Sequence, residues 1–344
     1  MVNLGVRERF DLITRNTAEI ISEEELIKLL QNKKKPSLYW GTAPTGKPHI
    51  AYFFPALKIA DFLKAGFKVK ILLADLHAAM DNTPWNVLEK RYLYYSKIIS
   101  AMIKAIGVEP KDLEFVKGSD FQLKPEYMYD VLQMSSMVSV HDAHKAASEV
   151  VKLGDNPRLS GLIYPIMQAL DEQYLDVDAQ LGGTDQRKIM VLARENLPRL
   201  DYEKRIEIMN PLIPGLVGKK MSASDPKSKI DLLDDPEVVK QKINSAECLA
   251  GDCNSGIIAF IKYVIMVIKS DNQEKFVIKR DQKYGGDLSY SSYEELEQDF
   301  KEKKIHPLDL KNALAEEICK LLKELQKNKE LYKLADEAYP PKEI

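Results

Sequence analysis

The sequence predicts an α/β protein in which a doubly wound parallel sheet is followed by a smaller α-helical domain. Over the first 230 residues, short apolar runs with strand character alternate with amphipathic helical patterns, as in parallel-sheet proteins. After Asp235 the strand signals fade and helical spacing dominates, most clearly over residues 314–325. We therefore expect a Rossmann-like domain over residues 1–230 and a helical domain over residues 231–344.

The predicted elements alternate in order along the first domain. Ser22 and Glu25 have the spacing of a capping box, which opens a helix that ends before Pro36. A glycine-rich loop after the first strand leads into a second helix, and a long helix is predicted over about residues 85–106. The strands are expected at residues 37–40, 69–75, 114–117, 177–180 and 206–209. In a doubly wound sheet the ligand crevice lies at the carboxyl ends of the strands.

Composition and charge restrict the class of protein. Of the 344 residues, 45% are hydrophobic and 30% charged, which suits a globular protein of two domains. No apolar run reaches the ~18 residues of a membrane span, and the N-terminus lacks the shape of a signal peptide. We therefore expect a cytoplasmic protein without a membrane partner. Because the net charge is −2, any contact with nucleic acid must use local patches, such as Lys33 to Lys35 or Lys301, Lys303 and Lys304.

The cysteines and histidines do not form the pattern of a metal site. Cys248, Cys253 and Cys319 are an odd number without a second pair, which argues against a disulfide framework or a zinc knuckle. His141 and His144 have helical spacing, but no third ligand is near them in sequence, so a solvated helix is expected. We expect no metal held by the protein itself.

The segment from Gly41 to Pro48 nearly matches a P-loop, with glycine, four residues, glycine and lysine in place. The last position should be a serine or threonine that holds Mg²⁺, but Pro48 has neither a side-chain oxygen nor a backbone N–H. The alternative is that Pro48 is the first residue of a helix, whose exposed N–H groups face nucleotide phosphates. His49 would then project from the start of that helix.

Two segments resemble the signatures of the class I aminoacyl-tRNA synthetases. The run Pro-Thr-Gly-Lys-Pro-His-Ile-Ala-Tyr at 44–52 resembles the HIGH-type signature, and Lys-Met-Ser-Ala-Ser at 220–224 resembles KMSKS. Tyr52 replaces the second histidine and Ala223 replaces the second lysine. The resemblance implies that ATP, arriving with Mg²⁺, activates an amino acid. It implies charge stabilisation by His49, Lys220, Ser222 and Ser224, and nucleotide contacts at Gly41, Ala43, Pro44, His49, Tyr52, Gly183, Asp185 and Lys220.

A third segment points to the amino acid. Tyr164, Gln168 and Asp171 are spaced to share one face of a helix that Pro165 is expected to begin, and the surrounding residues are apolar. Together with residues 182–186, this pattern resembles the tyrosine pocket of archaeal and eukaryotic tyrosyl-tRNA synthetases. The resemblance implies that Tyr39 and Asp171 bind the phenol oxygen. It places Tyr164, Gln168 and Gln186 at the α-amino group, and Leu72, Phe121, Gln122 and Leu175 in the pocket lining.

The second domain carries a further resemblance. Residues 303–312 resemble the entry of the anticodon-binding helix of the archaeal enzymes, which implies that His306 and Asp309 recognise the first anticodon base. Arg187 lies where this family reads the first base pair of the acceptor stem. The implied partners are tRNA(Tyr), L-tyrosine and ATP, with a homodimer interface in a connective insertion at about residues 121–162. A purely structural interpretation, in which Pro307 starts a helix, holds in either case.

Two other functions are open. A tryptophanyl-tRNA synthetase shares the sheet and both signatures, but Asp171 paired with Tyr39 argues against it because indole has one donor and no phenolic oxygen. A non-catalytic RNA-binding or signalling protein on the same scaffold is the second. The intact His49 and Lys220 argue against that one.

Overall fold

The computed structural model describes residues 4–109, 113–216, 221 and 228–340. Lys220, Ser222 and Ser224 of the second signature lie outside the described residues. The described chain forms two compact units, of which the first comprises residues 1–45, 58–96 and 110–212 and the second residues 46–57, 97–109 and 213–344. The predicted domain boundary near residue 230 stays a prediction.

The first unit contains a six-stranded sheet within its described residues. Its order is β1-β6-β5-β2-β3-β4. The strands are β1 Glu19–Ile21, β2 Ser37–Thr42, β3 Lys68–Leu73, β4 Leu113–Lys117, β5 Ala179–Gly183 and β6 Ile206–Asn210. Strands β2 to β6 are parallel to one another, and β1 is antiparallel to β6. All five predicted strands are confirmed, within three residues at their ends. Strand β1 was not predicted, because three residues are too few to show an alternating pattern.

Helices connect the strands of this sheet along the chain, and further helices form most of the second unit. Those of the first half of the chain are α1 Val6–Thr14, α2 Glu23–Asn32, α3 Phe53–Lys64, α4 Asp75–Met80, α5 Leu88–Ala105, α6 Ser119–Gln122, α7 Pro125–Met137 and α8 Val140–Ala147. The remainder are α9 Leu159–Tyr174, α10 Arg187–Asn196, α11 Pro236–Ser245, α12 Gly256–Phe260, α13 Met266–Asp271, α14 Tyr293–Lys301, α15 Pro307–Gln326 and α16 Lys329–Ala338. A short hairpin of β7 Phe276–Ile278 and β8 Leu288–Tyr290 lies among the later helices.

Two predicted helix starts were wrong. Pro165 does not begin a helix but lies inside α9, which starts at Leu159 and forgoes one internal hydrogen bond at the proline. Pro48 is not the first residue of a helix either. The chain is extended at His49 and passes through a 3₁₀ turn, Ile50–Tyr52, before α3 begins. The Ser22 prediction is confirmed, since its side chain accepts a hydrogen bond from the Glu25 N–H and caps α2.

The strand order creates one place where a ligand crevice is expected. From β2 the chain continues to β3 and β4 on one side, whereas β5 continues to β6 on the other. Adjacent β2 and β5 therefore form the topological switch point, and crevices in doubly wound sheets open at the carboxyl ends of such strands. Those ends are Gly41-Thr42 and Gly182-Gly183. None of the helices in the described ranges combines the length and the apolar character needed to cross a membrane.

Candidate active site

Asp171 is the centre of a buried polar group in the first unit. It lies on α9 and is 1% exposed. Its Oδ1 accepts hydrogen bonds from Gln122 Nε2 at 2.7 Å and from Tyr127 Oη at 2.8 Å. Its Oδ2 has no hydrogen-bond partner among the described residues. Burial raises the pKa of Asp171 to about 7, against the opposing effect of the two hydrogen bonds.

Tyr39 supplies a second polar atom to this region. It lies on β2 and is 1% exposed, and its Oη also lacks a partner within the part of the chain that the structure describes. Burial, followed by the charges of Glu172 and Asp171, raises the pKa of the phenol well above its usual value. Tyr39 is therefore a neutral hydroxyl, able to donate. We refer to Tyr39 Oη and Asp171 Oδ2 as the hydroxyl–carboxylate pair.

The apolar residues predicted for the pocket lie together. Tyr39, Leu72, Phe121 and Leu175 belong to one buried cluster that also includes Met167. They come from β2, β3, α6 and the end of α9, so the cluster exists only in the folded chain. Such a site, apolar with a few polar atoms, is typical of small-ligand binding.

Two residues of the polar group had no predicted role. Tyr127 on α7 is fully buried, and its Oη is also 2.7 Å from the Met167 carbonyl oxygen. His77 on α4 has Nε2 4.0 Å from Asp171 Oδ2 and packs edge-on against Tyr164 at 4.5 Å between ring centroids. Burial lowers the pKa of His77 to about 4, so the imidazole is neutral. No local sequence pattern could have found these residues, since both act through contacts with distant elements.

Two other polar residues of α9, Tyr164 and Gln168, lie two turns and one turn before Asp171, and Gln168 contacts the turn that follows β5. Gln168 Nε2 donates to Gln186 Oε1 at 2.9 Å, and both side chains are half-buried. Tyr164, one turn earlier, is buried, and burial raises the pKa of its phenol. The predicted shared face of Tyr164, Gln168 and Asp171 on one helix is thus present, and Gln186 meets it across the 3₁₀ turn that follows β5.

The loops at the switch point are held closely. A Cβ at Gly183 would lie 2.6 Å from Asp185 Oδ1 and 3.0 Å from Leu212 Cδ2, so any larger residue here would displace these two side chains. On the β2 side, Arg91 donates to the carbonyl oxygens of Pro44 at 3.1 Å and Thr45 at 2.6 Å. Arg91 had no predicted role in this loop. Its guanidinium fixes the stretch that follows Gly41 and Ala43.

The first signature, at residues 44–52, is contacted by residues 228–232, which follow the second signature in the sequence. Within the second unit, the backbone of His49 pairs with that of Asp231, and the Ile50 N–H donates to the Ile230 carbonyl oxygen at 3.0 Å. Lys229 is buried, forms an ion pair with Asp231 and places its Nζ 3.3 Å from the Lys47 carbonyl oxygen. Residues 228–232 therefore contact the first signature directly.

His49 itself is buried and neutral. Its ring meets that of Tyr52 edge-on at 5.3 Å, and Nδ1 has no partner among residues with a described position. Burial, and then the charge of Lys229, lowers its pKa to about 3. At neutral pH His49 can therefore donate one N–H hydrogen bond, but it does not contribute a positive charge.

The residues predicted to contact RNA are accessible in their own elements. His306 is exposed and caps α15, with Nδ1 accepting from the Leu308 N–H at 3.2 Å. Asp309 is half-buried in the first turn of the same helix. Arg187 is exposed at the start of α10 and forms a two-pronged ion pair with Glu19. The predicted helix start at Pro307 is confirmed.

The His141 and His144 pair is exposed on α8, as a solvated helix requires. Across the described ranges, no three side chains of His, Cys, Asp or Glu are grouped so that they could hold a metal ion.

Comparison with known families agrees with this geometry. Residues 31–323 match the family model described as tRNA synthetases class I (W and Y). The parallel sheet, its switch point between β2 and β5 and this match define the class of protein as a class I aminoacyl-tRNA synthetase.

Individual relatives narrow the class. The chain is 52% identical to the cytoplasmic tyrosine–tRNA ligase of Gallus gallus, over 98% of this chain and 64% of the relative, and thus spans less than two thirds of it. It is 50% identical to that of Saccharomyces cerevisiae, over 97% of this chain and 88% of the relative. A crystal structure of the Archaeoglobus fulgidus tyrosyl-tRNA synthetase with L-tyrosine superposes with a TM-score of 0.87 at 40% identity, covering 94% of this chain and 99% of that one. The chain belongs to the tyrosyl-tRNA synthetases.

Proposed function

We propose that the protein is a cytoplasmic tyrosine–tRNA ligase. It activates L-tyrosine with ATP to tyrosyl-adenylate, releases pyrophosphate, and transfers tyrosine to the 3′ end of tRNA(Tyr). The observation that carries the proposal is the hydroxyl–carboxylate pair, which lies at an apolar cluster built from β2, β3, α6 and α9. The names of the relatives, and the tyrosine in the Archaeoglobus fulgidus structure, support the same substrate.

The pair suits a phenol better than the alternatives. A phenolic O–H donates to Asp171 Oδ2, while its oxygen accepts from the neutral Tyr39 hydroxyl. Phenylalanine would leave both groups buried and unpaired, and selection against such analogues is worth ~10⁵, a figure established for tyrosyl-tRNA synthetase itself. Indole has one donor and cannot satisfy Tyr39, which disfavours tryptophan. Tyr164, Gln168 and Gln186 hold the α-amino group, and Gln122 positions Asp171.

The protein's part in the chemistry is orientation and charge stabilisation. The tyrosine carboxylate attacks the α-phosphorus of ATP, and pyrophosphate leaves without a protein nucleophile. Because His49 is neutral, it acts as a hydrogen-bond donor, and positive charge is supplied by Lys220 together with the Mg²⁺ that arrives with ATP. Ser222 and Ser224 assist Lys220. The loops contacting the nucleotide contain Gly41, Ala43, Pro44, Tyr52, Gly183 and Asp185.

The tRNA contacts fall in two places. His306 and Asp309 contact the first anticodon base, and Arg187 contacts the first base pair of the acceptor stem. Because the helix cap occupies His306 Nδ1, the ring carries its proton on Nε2, which is free to donate to a base. This tautomer supports base recognition alongside the capping role.

A second copy of the chain is the partner we propose for the region 121–162. Large apolar side chains there are exposed, with Leu132 68% and Val140 74% accessible. The others are Leu123, Met128, Tyr129 and Leu159. Light scattering should show a dimer that Leu132→Glu weakens, whereas Leu249→Glu, at an equally exposed leucine of the second unit, should not. A wild-type monomer at micromolar concentration would contradict the proposal.

The deciding experiment is ATP–pyrophosphate exchange with each of the standard amino acids in turn. We expect exchange with tyrosine and only background with phenylalanine. Exchange with tryptophan instead would favour the tryptophanyl alternative. No exchange with any amino acid would favour a non-catalytic protein on this scaffold.

A further inference from the structure

Two buried carboxyl groups near Tyr39 have no part in the proposed chemistry. Glu172 follows Asp171 on α9, and Glu207 is in the middle of β6; both are 0% exposed. The two carboxyl groups are close enough for a hydrogen bond between them. Neither carboxylate has a hydrogen-bond donor anywhere in the described ranges. An ionised carboxylate only accepts, so a hydrogen bond between these two exists only if one of them is protonated.

The sheet register connects this carboxyl pair, Glu172 and Glu207, to Tyr39. Tyr39 on β2 is level with Gln180 on β5, which is level with Glu207 on β6. Residues at one level of a sheet project from the same face, so the three side chains form a row. Burial first, and then the charges of Glu172, Asp171 and Glu207, raise the pKa of the Tyr39 phenol.

Two nearby arginines, Arg205 and Arg194, do not donate a hydrogen bond to either carboxylate. Arg205 donates to the Glu203 carbonyl oxygen at 2.8 Å and to Gln173 Oε1 at 2.9 Å, and its Nε has no acceptor among the described residues. Arg194, on α10, donates to the Arg205 carbonyl oxygen and to the Glu25 carboxylate. The groups that face the carboxyl pair are therefore Arg205, Arg194, Asp171 and Tyr39. Two buried negative charges without hydrogen bonds would be strongly unfavourable here.

We propose that Glu172 and Glu207 share one proton and act together as positioning residues that keep the Tyr39 hydroxyl a hydrogen-bond donor toward the substrate. The shared proton forms the bond between the two carboxyls and leaves one negative charge on the carboxyl pair. That charge opposes ionisation of the Tyr39 phenol. Because an ionised Asp171 only accepts, the substrate phenol donates to it, and the substrate oxygen then accepts from the neutral Tyr39 hydroxyl. The substrate side of this inference rests on the proposed function.

The number of protons that the carboxyl pair binds on folding can be measured from the pH dependence of stability, without any substrate. Burial raises the pKa of both carboxyl groups. A raised pKa in the folded state gives stability that is complete below the ordinary carboxyl range and is lost as the pH rises toward the folded value. The folding equilibrium constant of the wild type should therefore contain a component that falls about tenfold per pH unit between about pH 5.5 and 7. Chemical denaturation at several pH values measures it.

Three variants distinguish sharing from independent protonation. In Glu172→Gln, Glu207→Gln and the double variant, an amide N–H takes the place of the shared proton. All three should lose the same tenfold component, because only one proton is present. Asp171 titrates in all four proteins and cancels from the comparison. A double variant that loses twice as much as each single one would overturn sharing, and so would variants that keep the wild-type slope.

A kinetic comparison tests the positioning role. Glu207→Leu removes the proton partner of Glu172 and should raise the tyrosine KM about tenfold, while the ATP KM stays near the wild-type value. Glu207→Gln provides an amide donor to Glu172, so its tyrosine KM should stay near the wild-type value. An unchanged tyrosine KM in Glu207→Leu, or equal rises in both KM values, would overturn the positioning role. If the wild type shows no tyrosine-dependent exchange, the proposed function fails, but the proton count still tests the carboxyl pair.

Discussion

The most direct test of the proposed tyrosine site is Asp171→Asn. The amide has the shape of the carboxylate, so Oδ1 can still accept from Gln122 and Tyr127. At the position of Oδ2, however, an NH₂ donor would face the substrate O–H. A hydrogen bond to a charged group contributes ~1.5–3 kcal/mol, so the kcat/KM for tyrosine should fall about 10- to 150-fold.

The assay is tyrosine-dependent pyrophosphate exchange, with phenylalanine as the second substrate. Phenylalanine never forms this bond, so its kcat/KM should change little and the discrimination should fall by the same factor. Asp130→Asn is the matched control, because Asp130 is a buried carboxylate bonded to Tyr174 at 2.7 Å. An unchanged kcat/KM for tyrosine, or an equal loss for both amino acids, would refute the role of Asp171.

Three further predictions follow from the described geometry. Because the pKa of Asp171 is raised to about 7, kcat/KM for tyrosine should fall as the pH drops below 7, by up to about tenfold per unit, and Asp171→Asn should abolish this dependence. Lys229→Met should lower kcat for adenylate formation and leave the tyrosine KM near its normal value, because Lys229 connects residues 228–232 to the His49 segment. The control Lys269→Met, which breaks another ion pair of the second unit, should change neither kcat nor the tyrosine KM. A change in the tyrosine KM alone in Lys229→Met would contradict the role of Lys229. His306→Asn retains a capping acceptor, so it should preserve thermal stability while aminoacylation falls about tenfold or more. His306→Ala should lower both thermal stability and aminoacylation. If either variant impaired pyrophosphate exchange as strongly as aminoacylation, the anticodon role would be wrong.

The site was partly predictable because some of its parts are local in sequence. Tyr164, Gln168 and Asp171 share one face of α9 through helical spacing alone, and polar residues within an apolar helix indicate a need for partners. The start of α9 was misplaced, because proline is common at the first helical position but is tolerated inside a helix that packs well.

The partners themselves were not predictable. Gln122 was expected only to line the pocket, yet it donates directly to Asp171, and Tyr127 and His77 approach the same carboxylate from two other helices. Periodicity reports which face of an element is buried, but it does not report which distant element covers that face. The capping role of His306 was also missed, since it depends on one ring nitrogen of a flexible side chain.

The amino-acid sequence by itself determined the alternation of strands and helices, the two signatures and the polar face of α9, because these follow from local spacing and residue type. Only the tertiary structure decided that β2 and β5 meet at the switch point, that residues 228–232 bind the His49 segment, and that Glu172 faces Glu207. The raised pKa of Asp171 is also a consequence of the tertiary structure alone. The physical reason is that burial, charge and hydrogen-bond partners are set by contacts between residues far apart in the chain, and these contacts exist only after the sheet has formed.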